Sequence, residues 1–223
     1  MGSALHRSQE KNYEMKDVYL GPSYTKQEII QELEKQDITY RSLPQKKLVE
    51  KTSEMLAEGK VGALYQGRLE WGPRALGNRS ILADPRRKEM RGIINQKVKF
   101  RENFRPFAPT VLQENAEEFF KIEKESPYML FVHEVVEDKR DMIPAVTHVD
   151  GTSRIQTLKK KTNPYYYEII ESFKSKTGIP ILLNTSLNLK GMPIANTPKD
   201  AVNCLQKSDM DFLVTEDIII EKN

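Results

Sequence analysis

Residues 67–86 read GRLEWGPRALGNRSILADPR and combine a glycine-rich loop with a short apolar segment. The loop is rich in residues that turn a backbone, and Ile81-Leu82-Ala83 predicts a brief strand or buried turn. Residues 61–66 predict another short strand directly before the loop. Strand and helix patterns alternate along the rest of the chain with short links. We therefore predict an α/β fold with a mixed sheet.

The same stretch offers the chemical groups that bind phosphate. A phosphate site needs convergent N–H donors and positive charge, and the loop supplies Arg74, Asn78, Arg79 and Ser80. It is not a Walker A loop, since no Gly-Lys-Ser or Gly-Lys-Thr follows. Two interpretations remain open at this point. The loop binds phosphate, or it is a structural turn in which Glu70 pairs with one of the arginines.

Positive charge is concentrated around this loop. Residues 60–110 contain twelve Lys or Arg and four Asp or Glu, a net charge of +8, whereas the whole chain has a net charge of +3. The remainder of the chain is therefore about −5. Arginines held by rigid neighbours suit bidentate recognition of phosphate or carboxylate, so the charge pattern predicts one anion-binding region.

Length and composition predict one domain with a substantial core. The chain has 223 residues, 38% of them hydrophobic and 30% charged. We expect residues 1–16 to be a tail or a remnant of cloning, and residues 17–223 to form the domain. No apolar run approaches the roughly 18 residues of a membrane span, and no secretory signal is visible. The single Cys204 suits a reducing compartment, so we expect a cytoplasmic protein.

The three histidines and Cys204 lack the spacing of metal ligands, so we expect no structural zinc site and no metal site built by the protein.

Periodicity and turn residues predict the other elements. Helical patterns cover residues 23–36, 43–58, 86–96, 115–120, 164–177 and 198–206. Strand patterns cover residues 106–112, 129–136, 145–149, 151–157, 179–183, 212–214 and 218–220. Because Pro109 lacks an N–H, we expect the strand at 106–112 to lie at an edge or contain a bulge.

Basic and aromatic side chains alternate over residues 97–107. This alternation is typical of nucleotide and nucleic-acid surfaces. In the alternative interpretation, Phe100, Phe104 and Phe107 belong to the core and the basic side chains are solvated. That alternative fits Arg101 better than Arg105, which lies between Phe104 and Pro106.

Two other polar segments end predicted strands. Asn184, Thr185 and Ser186 follow the strand at 179–183, so we expect them at the carboxyl edge of the sheet, where open α/β sheets bind ligands. A helix cap or Asx turn is the alternative. His148 and Asp150 suggest acid–base chemistry, but no nucleophile lies beside them and Asp150-Gly151 is typical of a turn. We therefore favour a structural role for His148.

Four motifs together resemble one family, the C-terminal domain of the O-carbamoyltransferases of antibiotic and nodulation-factor biosynthesis. The resemblance covers residues 17–221 and rests, in the expected order, on residues 67–86, 104–109, 144–154 and 184–188. It implies a YrdC-like α/β fold, in which helices flank a twisted mixed sheet around a basic cavity.

The resemblance also implies a reaction. This domain would condense carbamoyl phosphate with ATP, the nucleotide carrying Mg²⁺, to give carbamoyl-adenylate, phosphate and pyrophosphate. A separate N-terminal domain or subunit, kinase-like in fold and metal-binding, would then pass the carbamoyl group to a hydroxyl acceptor.

The resemblance assigns roles to specific residues. The catalytic residues would be Lys99, Arg105 and Arg154, and the nucleotide-binding residues would be Arg74, Asn78, Arg79, Ser80, Asn184, Thr185 and Ser186. This chain departs from the family at Leu187, where Phe is usual, and at Met192, where an acid is usual. These departures leave open a homologue that binds its ligands but turns over slowly.

Two other functions are compatible with the charge pattern. A nucleic-acid-binding module would use the same basic concavity, and its affinity would fall steeply with salt. A non-catalytic interaction subunit would bind no nucleotide. We favour the enzyme over both because four long motifs match in order.

Overall fold

The computed structural model describes residues 17–222, and a mixed sheet of eight strands forms its centre. In chain order the strands are β1 (Arg41–Ser42), β2 (Gly62–Tyr65), β3 (Arg79–Ala83), β4 (Ala108–Leu112), β5 (Val132–Glu134), β6 (Thr152–Arg154), β7 (Gln156–Leu158), β8 (Ile181–Ser186), β9 (Phe212–Thr215) and β10 (Ile218–Glu221). Across the large sheet the order is β1-β10-β9-β2-β3-β8-β4-β7, while β5 and β6 form a separate antiparallel pair.

Both parallel and antiparallel pairing occur in the large sheet. β2 pairs with β9 and β4 with β7 in parallel, and the other neighbours are antiparallel. The predicted α/β class with a mixed sheet is therefore confirmed. The expected tail at residues 1–16 lies outside the described residues, and a domain boundary at residue 17 stays a prediction.

Six α-helices accompany the strands in residues 17–222. They are α1 (Lys26–Lys35), α2 (Gln45–Ala57), α3 (Met90–Ile93), α4 (Ala116–Phe119), α5 (Pro164–Thr177) and α6 (Pro198–Gln206). A π-helical turn at Ile94–Val98 continues α3, and 3₁₀ turns occupy Gln113–Asn115 and Glu137–Met142. As the sequence predicts, Thr25 and Glu28 form a capping box at α1, and Gly178 ends α5 in the left-handed conformation.

The core lies between the helices and the large sheet. α2 packs on α5, α5 contacts β4 and β8, and α6 contacts β2 and β9. Leu48 and Leu56 of α2 and Ile169 and Phe173 of α5 are completely buried. Each such side chain stabilises the fold by about 1.5–3 kcal/mol, so this helical layer holds the sheet from which the site is built.

The helix predicted over 86–96 starts later than the sequence suggests. Asp84 is completely buried, and its carboxylate accepts from the Arg86 backbone N–H at 2.9 Å and from the Arg86 guanidinium at 2.7 Å. These bonds hold the chain after Pro85 in a turn, so α3 begins only at Met90. The following π-helical turn shifts the backbone register just before Lys99.

Three strand predictions need correction. Residues 129–136 contribute only β5, and residues 145–149 form turns rather than a strand. β4 is not an edge strand, because it lies between β8 and β7. Pro109 is accommodated because β7 begins to pair only at Thr110, so no β7 residue faces the missing N–H.

Gly77 is required by close packing in the loop between β2 and β3. Its φ is +109°, a conformation that other residues rarely adopt. A Cβ atom at this position would lie 2.3 Å from Cδ1 of the buried Tyr166. Glycine therefore allows the loop to lie against α5, which places Arg74 at the site.

Candidate functional site: a basic cavity

Three adjoining hollows of about 260, 210 and 130 Å³ form a continuous concavity, the basic cavity, because they share lining residues. Arg101 lines all three hollows, while Arg105 and Arg154 each line two. The other charged or titratable lining groups are Arg74, Lys99, Glu102, His148 and Lys190. The structure thus brings the predicted Arg74, Lys99, Arg105 and Arg154 together on one surface.

Lys99 follows the π-helical turn, and its ammonium group is buried among oxygen atoms. Nζ donates to Asn188 Oδ1 at 2.7 Å, to the Asn188 carbonyl at 3.1 Å and to the Ser186 carbonyl. Burial, together with the Arg101 charge, lowers the pKa of Lys99 to about 7. A bound anion would offset both effects, which is the usual condition of a lysine that binds phosphate.

Asn95 organises the loop that carries the other cations. It is completely buried on the π-helical turn, and its Oδ1 accepts from Arg101 Nε at 2.7 Å. Its Nδ2 donates to the Arg105 carbonyl at 2.9 Å. No sequence pattern selects Asn95, since a single Asn that follows Ile93 and Ile94 in a helical segment is not distinctive.

Arg101 lines the cavity, although its sequence context favoured a solvated side chain. Its guanidinium lies 4.8 Å from the ring centroid of Phe107, in a cation–π arrangement. Burial and the charge of Arg105 lower its pKa. Of the three phenylalanines assigned to the core in the alternative interpretation, only Phe107 is buried, whereas Phe100 and Phe104 are exposed.

Arg74 and Arg154 meet at the smallest hollow. Burial, together with the Arg74 charge, lowers the pKa of Arg154, and both side chains line this hollow. Within residues 17–222, neither has a carboxylate within 4.0 Å, and the buried Nε of Arg154 has no hydrogen-bond partner. Unpaired guanidinium groups that line one hollow favour a bound anion.

Arg105 is the most exposed of the predicted cations. Its Nε lies 3.3 Å from Glu102, and both side chains are 55% exposed. An exposed ion pair of this kind contributes about 0–1 kcal/mol, so a phosphate could displace Glu102 at little cost.

Asn184, Thr185 and Ser186 all line the cavity, but they lie within β8 rather than beyond its end. They form the C-terminal end of β8, but its neighbours on both sides run antiparallel to it, so this end does not adjoin the carboxyl ends of β3 and β4. Asn184 Nδ2 donates to the Ala75 carbonyl at 3.2 Å and to Thr110 Oγ1 at 3.0 Å. Its Oδ1 is buried without a partner among the residues that the structure describes, so it can accept from a ligand.

Asn78, Arg79 and Ser80 lie outside the basic cavity and hold the loop in place. Arg79 is completely buried, donates to the carbonyls of Gln66, Gly67 and Asn78, and stacks 3.9 Å from the ring centroid of Tyr65. Asn78 Oδ1 accepts from Asn163, and Ser80 Oγ accepts from the Gly77 N–H at 3.0 Å. Nucleotide binding by these three residues stays a prediction that their placement does not support.

Glu70 is buried beside them, and its Oε1 accepts from the backbone N–H groups of Leu76, Asn78 and Arg79 at 2.6–3.1 Å. Each of the two interpretations of this loop therefore describes a different part of it. Arg74 faces the cavity, whereas residues 76–80 are structural.

The two departures from the family pattern differ in position. Leu187 is completely buried, whereas Met192 lines the cavity beside Lys99.

Within residues 17–222, no group of three His, Cys, Asp or Glu is arranged to hold a metal ion. None of the described helices has the length and hydropathy of a membrane span.

Comparison with protein families gives one match over most of the chain. The family model described as "Carbamoyltransferase C-terminus" matches residues 53–222. Nodulation protein NolNO of Sinorhizobium fredii is 50% identical over 77% of this chain and 26% of its own length. Nodulation protein NolO of Bradyrhizobium diazoefficiens is 48% identical over 76% of this chain and 32% of its own length. The chain thus spans about a third of these curated relatives.

Solved structures share the fold at low sequence identity. HypF in a phosphate- and nucleotide-bound form aligns with a TM-score of 0.51 and 14% identity, over 82% of this chain and 22% of its own. Sua5 of P. abyssi in complex with L-threonine aligns with a TM-score of 0.54 and 13% identity, over 77% of this chain and 51% of its own. The fold is therefore of the YrdC, Sua5 and HypF type, as the sequence motifs imply.

Proposed function

The chain belongs to the carbamoyltransferase C-terminal family, and from this premise we propose that its basic cavity forms carbamoyl-adenylate from carbamoyl phosphate and ATP. The observation that carries the proposal is the convergence of Arg74, Lys99, Arg101, Arg105 and Arg154 on one concavity. The one acid on its wall, Glu102, is exposed and already paired. Both substrates are phosphate anions, so the cavity matches them in charge.

The chemistry requires no nucleophile from the protein. Water and carbamoyl phosphate give carbamate, hydrogen phosphate and a proton, and a carbamate oxygen then attacks the α-phosphorus of ATP and displaces pyrophosphate. Lys99, Arg105 and Arg154 stabilise charge on the transferring groups, and Arg74, Asn184, Thr185 and Ser186 hold the substrates. In phosphoryl transfer, positioning and charge stabilisation of this kind account for most of the catalysis.

Mg²⁺ enters with the nucleotide in this proposal. The cavity wall offers cations, amides and hydroxyls, with Glu102 as its one carboxylate, so the ion is held by phosphate oxygens rather than by a protein cage. It supplies additional positive charge on the triphosphate.

The carbamoyl acceptor is handled by a companion domain that docks over the cavity entrance. Five exposed apolar side chains belong to segments that line the cavity or adjoin it, and we call them the apolar rim: Trp71, Phe104, Leu130, Phe131 and Val132. The matches cover only 26% and 32% of the lengths of NolNO and NolO, so most of each relative lies outside the match and is long enough for such a domain. Co-purification with the N-terminal part of NolO should be lost in the double variant Leu130→Ser, Phe131→Ser. The exposed Met142→Ser serves as control.

The test of the proposed reaction is pyrophosphate release from ATP driven by carbamoyl phosphate. The wild-type chain should release pyrophosphate only when both substrates are present. Lys99→Ala and Arg105→Ala should each lower the rate by about 10²–10³, the effect of losing one charge-stabilising donor. Lys97→Ala, an exposed lysine on the same turn, is the matched control. Undiminished release in both cavity variants would refute the assignment.

A further inference from the structure

His148 lies on the wall of the 210 Å³ hollow with Arg101, Arg105 and Arg154. The sequence suggested a structural role for it, because no nucleophile lies nearby along the chain. The structure instead places its half-buried ring among the cations that hold the proposed substrates. Its role in the reaction depends on which ring nitrogen carries the proton and which has an available lone pair.

A short chain of hydrogen bonds fixes the histidine tautomer. The Asp150 carboxylate can only accept, so the Thr152 hydroxyl donates to its Oδ1 at 2.7 Å. The Thr152 oxygen is then the acceptor for His148 Nδ1, which lies 3.2 Å away. With the proton on Nδ1, Nε2 has a free lone pair, and no residue in the described part of the chain bonds to it.

The backbone around this relay is tightly constrained. The Gly151 N–H donates to the His148 carbonyl at 3.0 Å, and the His148 N–H donates to the Thr152 carbonyl at 2.8 Å. Gly151 has a φ of +77°, and a Cβ there would lie 2.6 Å from Arg140. The turn therefore restricts the backbone on both sides of His148, and the bond from Nδ1 to Thr152 orients the ring that lines the hollow.

The proposed reaction, on which this inference rests, needs a proton acceptor. Water and carbamoyl phosphate give carbamate, hydrogen phosphate and one proton. A bond forms between the water oxygen and phosphorus, the bond from phosphorus to the bridging oxygen breaks, and carbamate leaves with that electron pair. Water is a poor nucleophile unless a base removes its proton during the attack.

The cavity offers few candidates for that base. Arg74, Arg101, Arg105 and Arg154 stay protonated. Glu102 and Lys190 line the 260 Å³ hollow but not the 210 Å³ hollow that contains Arg154 and His148. Lys99 lies outside the 210 Å³ hollow as well, and a bound phosphate group would raise its lowered pKa and keep it an ammonium donor to its oxygen acceptors. We propose that Nε2 of His148 is the general base that takes the proton from the attacking water, with Thr152 and Asp150 as positioning residues.

Surrounding charges keep this base in its active form at neutral pH. Burial lowers the pKa of His148, the nearby charges of Arg154 and Arg91 lower it further, and Asp150 opposes them. Arg101 and Arg105, which line the same hollow, have the same sign as Arg154. The rate of carbamoyl phosphate breakdown should therefore fall as the pH drops through the lowered pKa of His148.

The test compares carbamoyl phosphate, which requires attack by water, with carbamate, which is the product of that attack. His148→Asn keeps a donor toward Thr152 but removes the base. Phosphate release from carbamoyl phosphate, and the pyrophosphate release that it drives, should fall by about 10²–10⁴. Pyrophosphate release driven by ammonium carbamate, which bypasses the step, should stay at the wild-type rate.

The controls separate a chemical role from a structural one. Thr152→Val should lower the carbamoyl phosphate rate and shift its pH profile, and Thr152→Ser should restore both. His133→Asn, a histidine on β5 outside the cavity, should behave as wild type.

Several outcomes would overturn the inference. It fails if His148→Asn breaks down carbamoyl phosphate at the wild-type rate, or if it loses activity with both substrates equally. It also fails if the wild-type chain works with carbamate alone, although adenylate formation would then stand. If the wild-type chain releases no pyrophosphate with carbamoyl phosphate and none with carbamate, the proposed function fails, and the role of His148 fails with it.

Discussion

At the scale of single residues, Lys99 shows the energetic conflict of a buried cation. Its side chain is 5% exposed, yet its Nζ lies among polar oxygens rather than beside a carboxylate. Burial and Arg101 lower its pKa from 10.5 to about 7. The charged form of Lys99 therefore lowers the free energy of unfolding, and a bound anion would offset this effect.

This conflict predicts a pH dependence of stability. Between pH 7 and about 10.4, the unfolded chain binds a proton at Lys99 that the folded chain has released, so the free energy of unfolding rises with pH across that window. Lys99→Met removes the titrating group and should flatten this rise. Urea unfolding at pH 7 and pH 10 in phosphate-free buffer measures the free energy of unfolding at both ends of this window. Equal pH dependence in the wild type and Lys99→Met would contradict the lowered pKa of Lys99. The control Lys97→Met should show the same pH dependence as the wild type.

Arg74 and Arg79 belong to the same motif but have opposite surroundings. Arg79 is enclosed by backbone carbonyls, whereas Arg74 faces the cavity without a carboxylate partner among residues 17–222. Spacing along the chain could not distinguish them.

Arg79→Lys should therefore lower the free energy of unfolding by about 2–4 kcal/mol, because it leaves buried carbonyls without donors. Arg74→Lys should change stability by less than about 0.5 kcal/mol but weaken phosphate binding by roughly tenfold, since a bidentate contact is lost. Chemical denaturation and calorimetric titration with inorganic phosphate measure the two effects. The division of roles is wrong if Arg79→Lys is as stable as the wild type.

At the scale of elements, the π-helical turn Ile94–Val98 and the loop that follows it build one side of the cavity. Asn95 connects them, because it bonds both Arg101 and the Arg105 carbonyl. Functional sites often contain such single π turns, since the extra residue re-aims the side chains that follow.

Replacing Asn95 by Leu should disturb the cavity more than the fold. The variant leaves the Arg105 carbonyl without its donor and Arg101 Nε without its acceptor, a loss of about 1–3 kcal/mol in the free energy of unfolding. Phosphate affinity should fall because Arg101 and Arg105 lose their fixed positions. Denaturation and phosphate titration test this together, with the exposed Gln96→Leu as control. Unchanged phosphate affinity would show that Asn95 does not position these cations.

For the molecule as a whole, the placement of the cations distinguishes a nucleotide site from a nucleic-acid surface. The region of residues 60–110 has a net charge of +8, but its cations are divided between a small cavity and structural bonds such as those of Arg79. A single nucleotide fits such a cavity, whereas a nucleic-acid strand needs a row of exposed contacts.

Salt dependence should follow this difference. Binding of a fluorescent ATP analogue should weaken only modestly between about 50 and 200 mM salt, and an RNA oligonucleotide should compete poorly for the site throughout. A strand with five phosphates bound by Arg74, Lys99, Arg101, Arg105 and Arg154 would lose affinity with a logarithmic slope of about −3.5, at about −0.7 per phosphate. Tight, steeply salt-dependent RNA binding would favour the nucleic-acid alternative.

The α/β class, the family and most of the cations that meet at the cavity can be predicted from the sequence, because periodicity, motif order and charge are local properties of the chain. Tertiary structure alone decided which of two arginines five residues apart is buried, that Arg101 and His148 face the cavity, and that Asn184–Ser186 lie inside a strand. These outcomes depend on contacts between residues distant in sequence, such as Arg79 with Gln66 and Lys99 with Asn188. Burial and electrostatics at each position are set by those partners, so no local pattern could specify them.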